Sequence, residues 1–415
     1  MVVPTDWKEV RLGDLGSTFG GLTGKSSKDF GEGNSSFVTF MNVMSNVVLD
    51  SQGTEKVRIG NGERQSQLLE GDVIFNGSSE TPEEVGFGSA VPIEISGLYL
   101  NSFCFGFRRK DTKSLDPRFF AYLTRSPLGR DIIRPMAQGS TRYNIAKTNL
   151  LNGRFPLPPL KEQEAIAEAL SDADAAIESL DALIAKKRDV KQGTMQQLLT
   201  GRTRLPGFTT DWKEVRLGEI CEFVKTIALS RSQLEADHGV GCIHYGDIHT
   251  KFNDRLDCSN VRLPMAESGM VVGVPSLKVG DLVIADASED MTGVGKGIEI
   301  LGIPEYGVVA GLHTAVLRPH VGYFAKGFLG QLQHMPKFRK QARVLASGLK
   351  VYGLSKTSIS KISVEIPPLK EQEAIAEALS AMDDELEALT EQVSKLRMVK
   401  EGMMQDLLTG KVRLV

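Results

Sequence analysis

The sequence predicts an α+β protein of two mixed α/β bodies separated by two long antiparallel coiled-coil helices, with an internal pseudo-two-fold repeat. Three observations predict it: the chain repeats itself, each half ends in a heptad-patterned helix, and each body shifts to a strand-like period of two. Asp6-Trp7-Lys8-Glu9-Val10-Arg11-Leu12-Gly13 returns as Asp211-Trp212-Lys213-Glu214-Val215-Arg216-Leu217-Gly218. Pro158 to Ser171 returns letter for letter as Pro367 to Ser380, and Leu198-Leu199-Thr200-Gly201 returns as Leu407-Leu408-Thr409-Gly410. The offset is 205 residues at the first block and 209 at the others. The ends of each half are copied closely and the middles are not, as expected of one frame carrying two different bodies. The boundaries this implies are 1–157 and 206–366 for the bodies, and 158–205 and 367–415 for the helical regions.

The helices carry the clearest period. In the second, Ile375, Met382, Leu389, Leu396 and Met403 fall every seventh residue, with Leu379, Leu386 and Val393 at the partner position. Such a seam needs another helix to cover it. The first copy has Ile166, Ala173 and Leu180 with Leu170, Ile177 and Ile184, then drifts toward Leu183 and Val190. Pro158-Pro159 and Pro367-Pro368 fix the starts. Gly193 and Gly402 are expected to weaken or end each helix, and Gly201 and Gly410 to close the last turn or begin the connector. From Lys161 to Gly193 a helix runs about 48 Å. Two seams in one chain most economically cover each other, which makes the pair antiparallel and puts the bodies at its opposite ends.

Within the bodies, Phe37–Phe40, Asp72–Phe75 and Phe103–Phe107 read as strands. So do Gly241–Tyr245, Asp281–Ile284 and Thr314–Leu317. Asp116 through Leu128 reads as a short helix, matched by Tyr323 to Gln333. The loops between are long and polar, and loops of that length usually bind something.

Composition bounds the function. Four cysteines, Cys104, Cys221, Cys242 and Cys258, form no CxxC pair and read as free thiols of a reducing compartment. The start, MVVPTDWKEV, has neither a basic n-region nor an apolar h-region, and no stretch approaches about 18 apolar residues. The expectation is a cytoplasmic chain. Its net charge of −3 is unevenly spread. Residues 161–185 carry seven acids and one base, and residues 370–394 eight acids and one base, which leaves +10 on the rest. Basic bodies can approach a phosphate backbone, whereas acidic helix faces should stay off it.

Three loop groups stand out. Asn76-Gly77-Ser78-Ser79-Glu80-Thr81 corresponds to Ala285-Asp286-Ala287-Ser288-Glu289-Asp290. Gly139-Ser140-Thr141-Arg142-Tyr143-Asn144 corresponds to Gly348-Leu349-Lys350-Val351-Tyr352-Gly353, each followed by a Lys-Thr pair, Lys147-Thr148 and Lys356-Thr357. The segment from Gly20 to Lys28, which contains Lys25, has no close copy. Hydroxyls, amides, Arg and Lys on flexible backbone suit phosphate contacts and base-edge reading. Any one such loop alone is more often only a solvated loop, but recurrence at one offset favours function for the first two groups. The candidate DNA-contacting residues are Lys25, Ser78, Ser79, Glu80, Ser140, Thr141, Arg142, Tyr143, Asn144, Lys147, Ser288, Glu289, Lys350, Tyr352 and Lys356.

Other motifs fail on spacing. Gly24-Lys25-Ser26 resembles the end of a P-loop, but Phe19 stands where the motif needs glycine. Gly293-Val294-Gly295-Lys296-Gly297 lacks the dinucleotide spacing. His238, Cys242, His244, His249 and Cys258 crowd together, yet they fit no zinc spacing and the first half has no counterpart. No cofactor, metal ion or catalytic residue is expected.

The opening Asp-Trp-Lys-Glu-Val-Arg-Leu-Gly block, the Pro-Leu-Lys-Glu-Gln-Glu helix starts and the Leu-Leu-Thr-Gly helix ends together resemble the specificity (S) subunit of bacterial type I restriction–modification systems, over essentially the whole chain. The body segments Gly71–Gly86 and Tyr245-Gly246-Asp247-Ile248 carry the same resemblance. It implies a non-catalytic DNA-binding subunit with two target-recognition domains, each reading one half of a bipartite site on double-stranded DNA. It implies two helical regions acting as spacer and dock. Two adenine methyltransferase (M) subunits would bind there, and restriction (R) subunits would join for cleavage. The residues agree independently: two copied helices offer two equivalent surfaces, and about 48 Å of helix matches roughly 14 base pairs of duplex. The competing reading is a coiled-coil scaffold whose two bodies bind protein or peptide. A scaffold has no need of +10 outside its helices.

Overall fold

The computed structural model describes residues 4–93 and 95–414. Its backbone divides into two compact units, Met1–Asp181 with Glu391–Val415, and Ala182–Thr390. Each of the two long helices, Leu160–Leu198 and Leu369–Leu407, therefore begins in one unit and ends in the other.

The first unit is built on a four-stranded antiparallel sheet in the order Gly16–Gly20, Cys104–Arg109, Val73–Asn76, Gly88–Ala90. A second sheet pairs Phe30–Val38 with Thr54–Val57 and, in parallel, with Leu98–Leu100. The strands form because apolar residues sit on both covered faces. Phe75, Phe105, Phe107, Phe119, Phe120 and Phe155 meet in one core, together with Ile166 and Leu170 from the start of the first long helix. Leu407 and Leu408, from the end of the second, complete it.

The second unit repeats the plan with an added strand. Its sheet runs Cys221–Val224, Thr314–Pro319, Leu282–Ala285, Gly297–Gly302, Arg255–Asp257. Its core joins Leu282, Ile284, Leu317, Phe328 and Phe338 to Ile375 and Leu379, and to Leu198 and Leu199 at the end of the first long helix.

The copied segments are copied because they meet. In the first unit Lys8–Arg11 pairs antiparallel with Arg154–Leu157, and in the second Lys213–Arg216 pairs with Ser363–Ile366. Gly410 and Gly201 end the long helices with φ of 70° and 66°, a conformation that favours glycine. A Cβ there would lie 3.1 Å from the Trp7 ring and 3.5 Å from the Trp212 ring, respectively. Glu162 and Glu371, both buried, each receive an arginine from beyond the far helix end: Arg413 and Arg204. Arg413 also pairs with Asp6 at 2.8 Å, and its guanidinium pKa is raised by Glu162 first and Asp6 second. The next residue of each helix, Gln163 or Gln372, is buried too. Gln163 accepts from the Asp116 N–H and donates to the Ser114 and Pro158 carbonyls. Gln372 accepts from Ala325 and donates to Tyr323 and Pro367. The repeated Pro-Pro-Leu-Lys-Glu-Gln thus starts a helix, supplies the buried carboxylate that the arginine neutralises and fastens the helix to its body.

Within each unit the two helix segments pair antiparallel. In the first, Lys400 pairs with Asp174 and Arg397 with Asp181. In the second, Lys187 pairs with Glu385 and Lys191 with Asp383. The seam residues Ile166, Leu170, Ala173, Ile184, Ile375, Leu379 and Val393 are buried. Several expectations need correction. The expected drift toward Leu183 and Val190 does not occur. Both are exposed, and the seam continues through Lys187 and Lys191, whose stems cover it while their ammoniums reach acids. Gly193 and Gly402 do not end their helices. A mid-helix glycine costs only about 1 kcal/mol, less than the burial of the Leu pair that follows each.

The helix expected over Asp116–Leu128 is two, Pro117–Arg125 and Pro127–Ile133. Pro127 excludes Ser126 from helical geometry, and the Ser126 hydroxyl instead accepts the Gly129 N–H at 3.2 Å. Its expected match at Tyr323–Gln333 is a set of turns and a 3₁₀ helix, Leu329–His334. Phe40 and Tyr245 open short helices, Phe40–Ser45 and Tyr245–Thr250, capped by the Thr39 and His244 side chains. The strands before them therefore end earlier than their apolar run suggests. Among the described residues no helix is long and apolar enough to cross a membrane.

Candidate nucleic-acid interface

In the first unit the two recurrent loop groups are strands of one small sheet. Ser78–Ser79 pairs with Tyr143–Ile145, which pairs with Ala137–Gln138. Residues 139–142 form the hairpin tip. Gly139 has φ of 133°, and a Cβ there would lie 2.1 Å from the Arg142 carbonyl oxygen, so the tip requires glycine. Ser140, Thr141, Arg142, Asn144 and Lys147 are exposed, and Tyr143 is half-buried. The Arg142 guanidinium lies 5.7 Å from the Phe103 ring centroid. Lys147 opens the helix Lys147–Asn152, and its Nζ would stand 3.3 Å from a Cβ on Gly20.

Ser78 and Ser79 are 6% and 8% exposed, and the Ser79 hydroxyl donates to Glu84 at 2.7 Å. They hold the loop, whereas Glu80 beside them is exposed. Lys25 is engaged as well: it donates to the Arg58 carbonyl and to Glu63, both at 2.6 Å, and holds the Glu63 carboxyl down at about 2. The Gly20–Lys28 segment does have a structural counterpart. Ser26 and Asp29 form a capping box over a 3₁₀ turn, and so do Ser230 and Gln233.

The second unit repeats the arrangement. Ala287–Ser288 pairs with Tyr352–Gly353, and Gly353 exchanges backbone hydrogen bonds with Ser347. Gly348 at the tip has φ of 129°, with the Val351 carbonyl oxygen 1.9 Å from where a Cβ would sit. Lys350, Glu289 and Lys356 are exposed, Tyr352 is half-buried and Ser288 is buried. Leu349, at 96% exposed, stands on a tip where the first unit has hydroxyls. Burial pushes the Asp286 carboxyl up, against the opposing pull of His313 and Lys356.

Sequence reasoning missed the groups that hold these loops from behind. Asn76, fully buried, accepts the Phe87 N–H at 2.7 Å and donates to the Glu84 carbonyl at 3.0 Å. Arg130 donates to the carbonyls of Pro82 and Val85, and Arg339, at the same offset of 209, donates to those of Met291, Thr292 and Val294. Burial pushes Arg130 and Arg125 down to about 10. The repeat of Arg130 at Arg339 was the available signal, though a solvent-facing arginine gives the same one. His249 reaches the Ala287 carbonyl at 2.9 Å, and among the described residues no group of three or more His, Cys, Asp or Glu side chains is placed to hold a metal ion.

A family model described as the type I restriction modification DNA specificity domain matches residues 4–186 and 330–395, more than half of the chain. The chain belongs to this family. It is 24% identical over 432 residues to a putative type I restriction enzyme MjaX specificity subunit of Methanocaldococcus jannaschii, covering 99% of this chain and 95% of that one. It is also 24% identical to the MjaVIII specificity subunit of the same organism, over 99% of this chain and 94% of that one. In fold it is similar to the crystal structure of a type I S subunit from M. genitalium, with a TM-score of 0.58 at 16% identity over 98% of both chains. It is likewise similar to a chain from a structural study of type I complex assembly and conformational transition, with a TM-score of 0.56 at 18% identity over 99% of this chain and 100% of that one. This chain is a DNA sequence-specificity subunit of a type I system, a non-catalytic role, and the scaffold reading is not favoured.

Proposed function

We propose that each unit reads one half of a bipartite DNA site, through the hairpin at residues 137–145 in the first and 347–353 in the second. The observation that carries this is the recurrence of one small sheet, with an exposed glycine-dependent tip, on two bodies of different loop sequence. Arg142, Lys147, Lys350 and Lys356 are exposed cations beside it, suited to phosphate contacts. Ser140, Thr141, Asn144, Tyr352, Glu80 and Glu289 are our candidates for base-edge contacts, and Ser78 and Ser288 are buried in the strands beside them. Replacing Arg142, Lys147 or Lys356 by alanine should weaken binding to all sequences alike. It should also make the salt dependence shallower by about one unit of slope per charge. An unchanged salt slope would remove that residue from the phosphate-contacting set.

The long helices serve in this reading as spacer and as dock for two methyltransferase subunits, with restriction subunits joining the same complex. Glu168 and Glu377 are equivalent and exposed. Reversing both charges should impair co-purification with the methyltransferase more than it impairs DNA binding by the isolated chain. The opposite ranking in pull-down and gel-shift assays would assign the acidic faces elsewhere.

A further inference from the structure

Two exposed rings occupy one backbone position in the two units, and the loops described above do not account for them. Phe103 is 58% exposed and precedes the strand Cys104–Arg109. His313 precedes the equivalent strand Thr314–Pro319, with its side chain 51% exposed. The Phe103 carbonyl accepts the Gly77 N–H at 3.0 Å, and the His313 carbonyl accepts the Asp286 N–H at 3.0 Å. Gly77 and Asp286 are themselves equivalent, and each passes a backbone hydrogen bond to the hairpin strand, Ile145 N–H to Gly77 and Leu354 N–H to Asp286. Both rings are thus tied by one two-step backbone link to the loop that carries the candidate contacts.

Neither ring is buried in a core. The Phe103 loop is held by Asn101, which is buried, accepts the Phe103 N–H at 2.9 Å and donates to the Val38 carbonyl at 2.9 Å. The ring itself stays out, with Arg142 near its face. His313 is the only non-glycine residue with positive φ, 53°, among the described residues. Strain of that kind persists where something other than local stability retains it. Its ring lies 5.3 Å from Tyr245 at 83°, and its Nδ1 is 3.5 Å from Asp286.

We infer that Phe103 and His313 are specificity-determining residues, each presenting its ring to one base pair of the half-site its unit reads. Phe103 offers an apolar edge, which suits the thymine methyl group, and His313 offers a ring N–H, which suits a purine N7 or O6 acceptor in the major groove. The inference rests on the DNA-reading function proposed above. The same backbone position then contributes an apolar ring in one half and a hydrogen-bonding ring in the other.

The test uses the full-length chain co-expressed with the methyltransferase subunit of its own system, with the methylated motif read by sequencing. Phe103→Ala should raise tolerance on the order of tenfold at one position of one half-site and leave the other half-site unchanged. His313→Gly should do the same in the other half-site while folding at least as stably, because glycine relieves the positive φ. Unchanged discrimination in both variants would overturn the inference. So would a uniform loss over all sequences with a shallower salt dependence, which marks backbone contacts. If the unsubstituted complex gives no bipartite motif, the DNA-reading function itself fails, and the two failures are distinct.

Discussion

A seven-residue insertion after Asp181, matched by seven after Thr390, should lengthen the unread gap between half-sites by about three base pairs. Seven helical residues add about 10 Å, and the duplex rises about 3.4 Å per base pair. Seven is chosen because it preserves the heptad phase. The cut falls at the boundary between the two units, so the pairs Asp174–Lys400, Asp181–Arg397, Lys187–Glu385 and Lys191–Asp383 each stay within one unit and survive. The added length also requires one unit to follow the duplex around its axis by about 100°, at 10–10.5 base pairs per turn. The expected result is therefore a longer gap, or loss of methylation where that rotation is blocked. Methylation of the original site at its original spacing, with both half-sites still required, would show that the helices do not set the gap.

Phe120→Ala should be the most damaging single truncation in the first unit. The side chain is fully buried, with ring centroids 5.1 Å from Phe155, 6.0 Å from Phe75 and 6.3 Å from Phe107. Such a deletion loses the transfer energy of the ring and leaves a cavity, about 3–5 kcal/mol together. For a unit of this size that lowers its unfolding temperature on the order of 10 °C. Phe338→Ala is the matching change in the second unit, where Phe338 is equally buried. Calorimetry should show each substitution moving its own unit's transition more than the other's. Equal movement of one shared transition by either change would mean that the units unfold as a single body.

The frame was legible because its rules are local. Heptad spacing, paired prolines and the Leu-Leu-Thr-Gly ends are short patterns, and they correspond to the seam, the helix starts and the positive-φ turns at Gly201 and Gly410. Of the two outcomes expected at Gly193 and Gly402, a weakened helix or an ended one, the helices do not end there, because local propensity is weak against the packing of Leu198-Leu199 and Leu407-Leu408. The recurrent loops were visible as repeats. Their union into one sheet was not, since Ser79 and Tyr143 are far apart in sequence and the pairing has no periodicity to announce it. Side-chain availability was least legible. Lys25 reads as a free cation until Glu63 is placed against it, and Ser78, Ser79 and Ser288 read as solvent-facing until their strands are buried. Phe103 and His313 carried no signal at all, because a Phe aligned with a His does not register as a repeat.

In the function proposed above, two units read two half-sites independently. That independence can be measured by replacing residues 14–150 with the equivalent segment of another specificity subunit and sequencing the methylated genome. The frame contacts at Trp7, Lys8–Arg11 and Arg154–Leu157 lie outside the exchanged segment and remain. One half of the methylated motif should change to that of the donor, while the other half keeps its sequence. Simultaneous change of both halves, or retention of both, would contradict it.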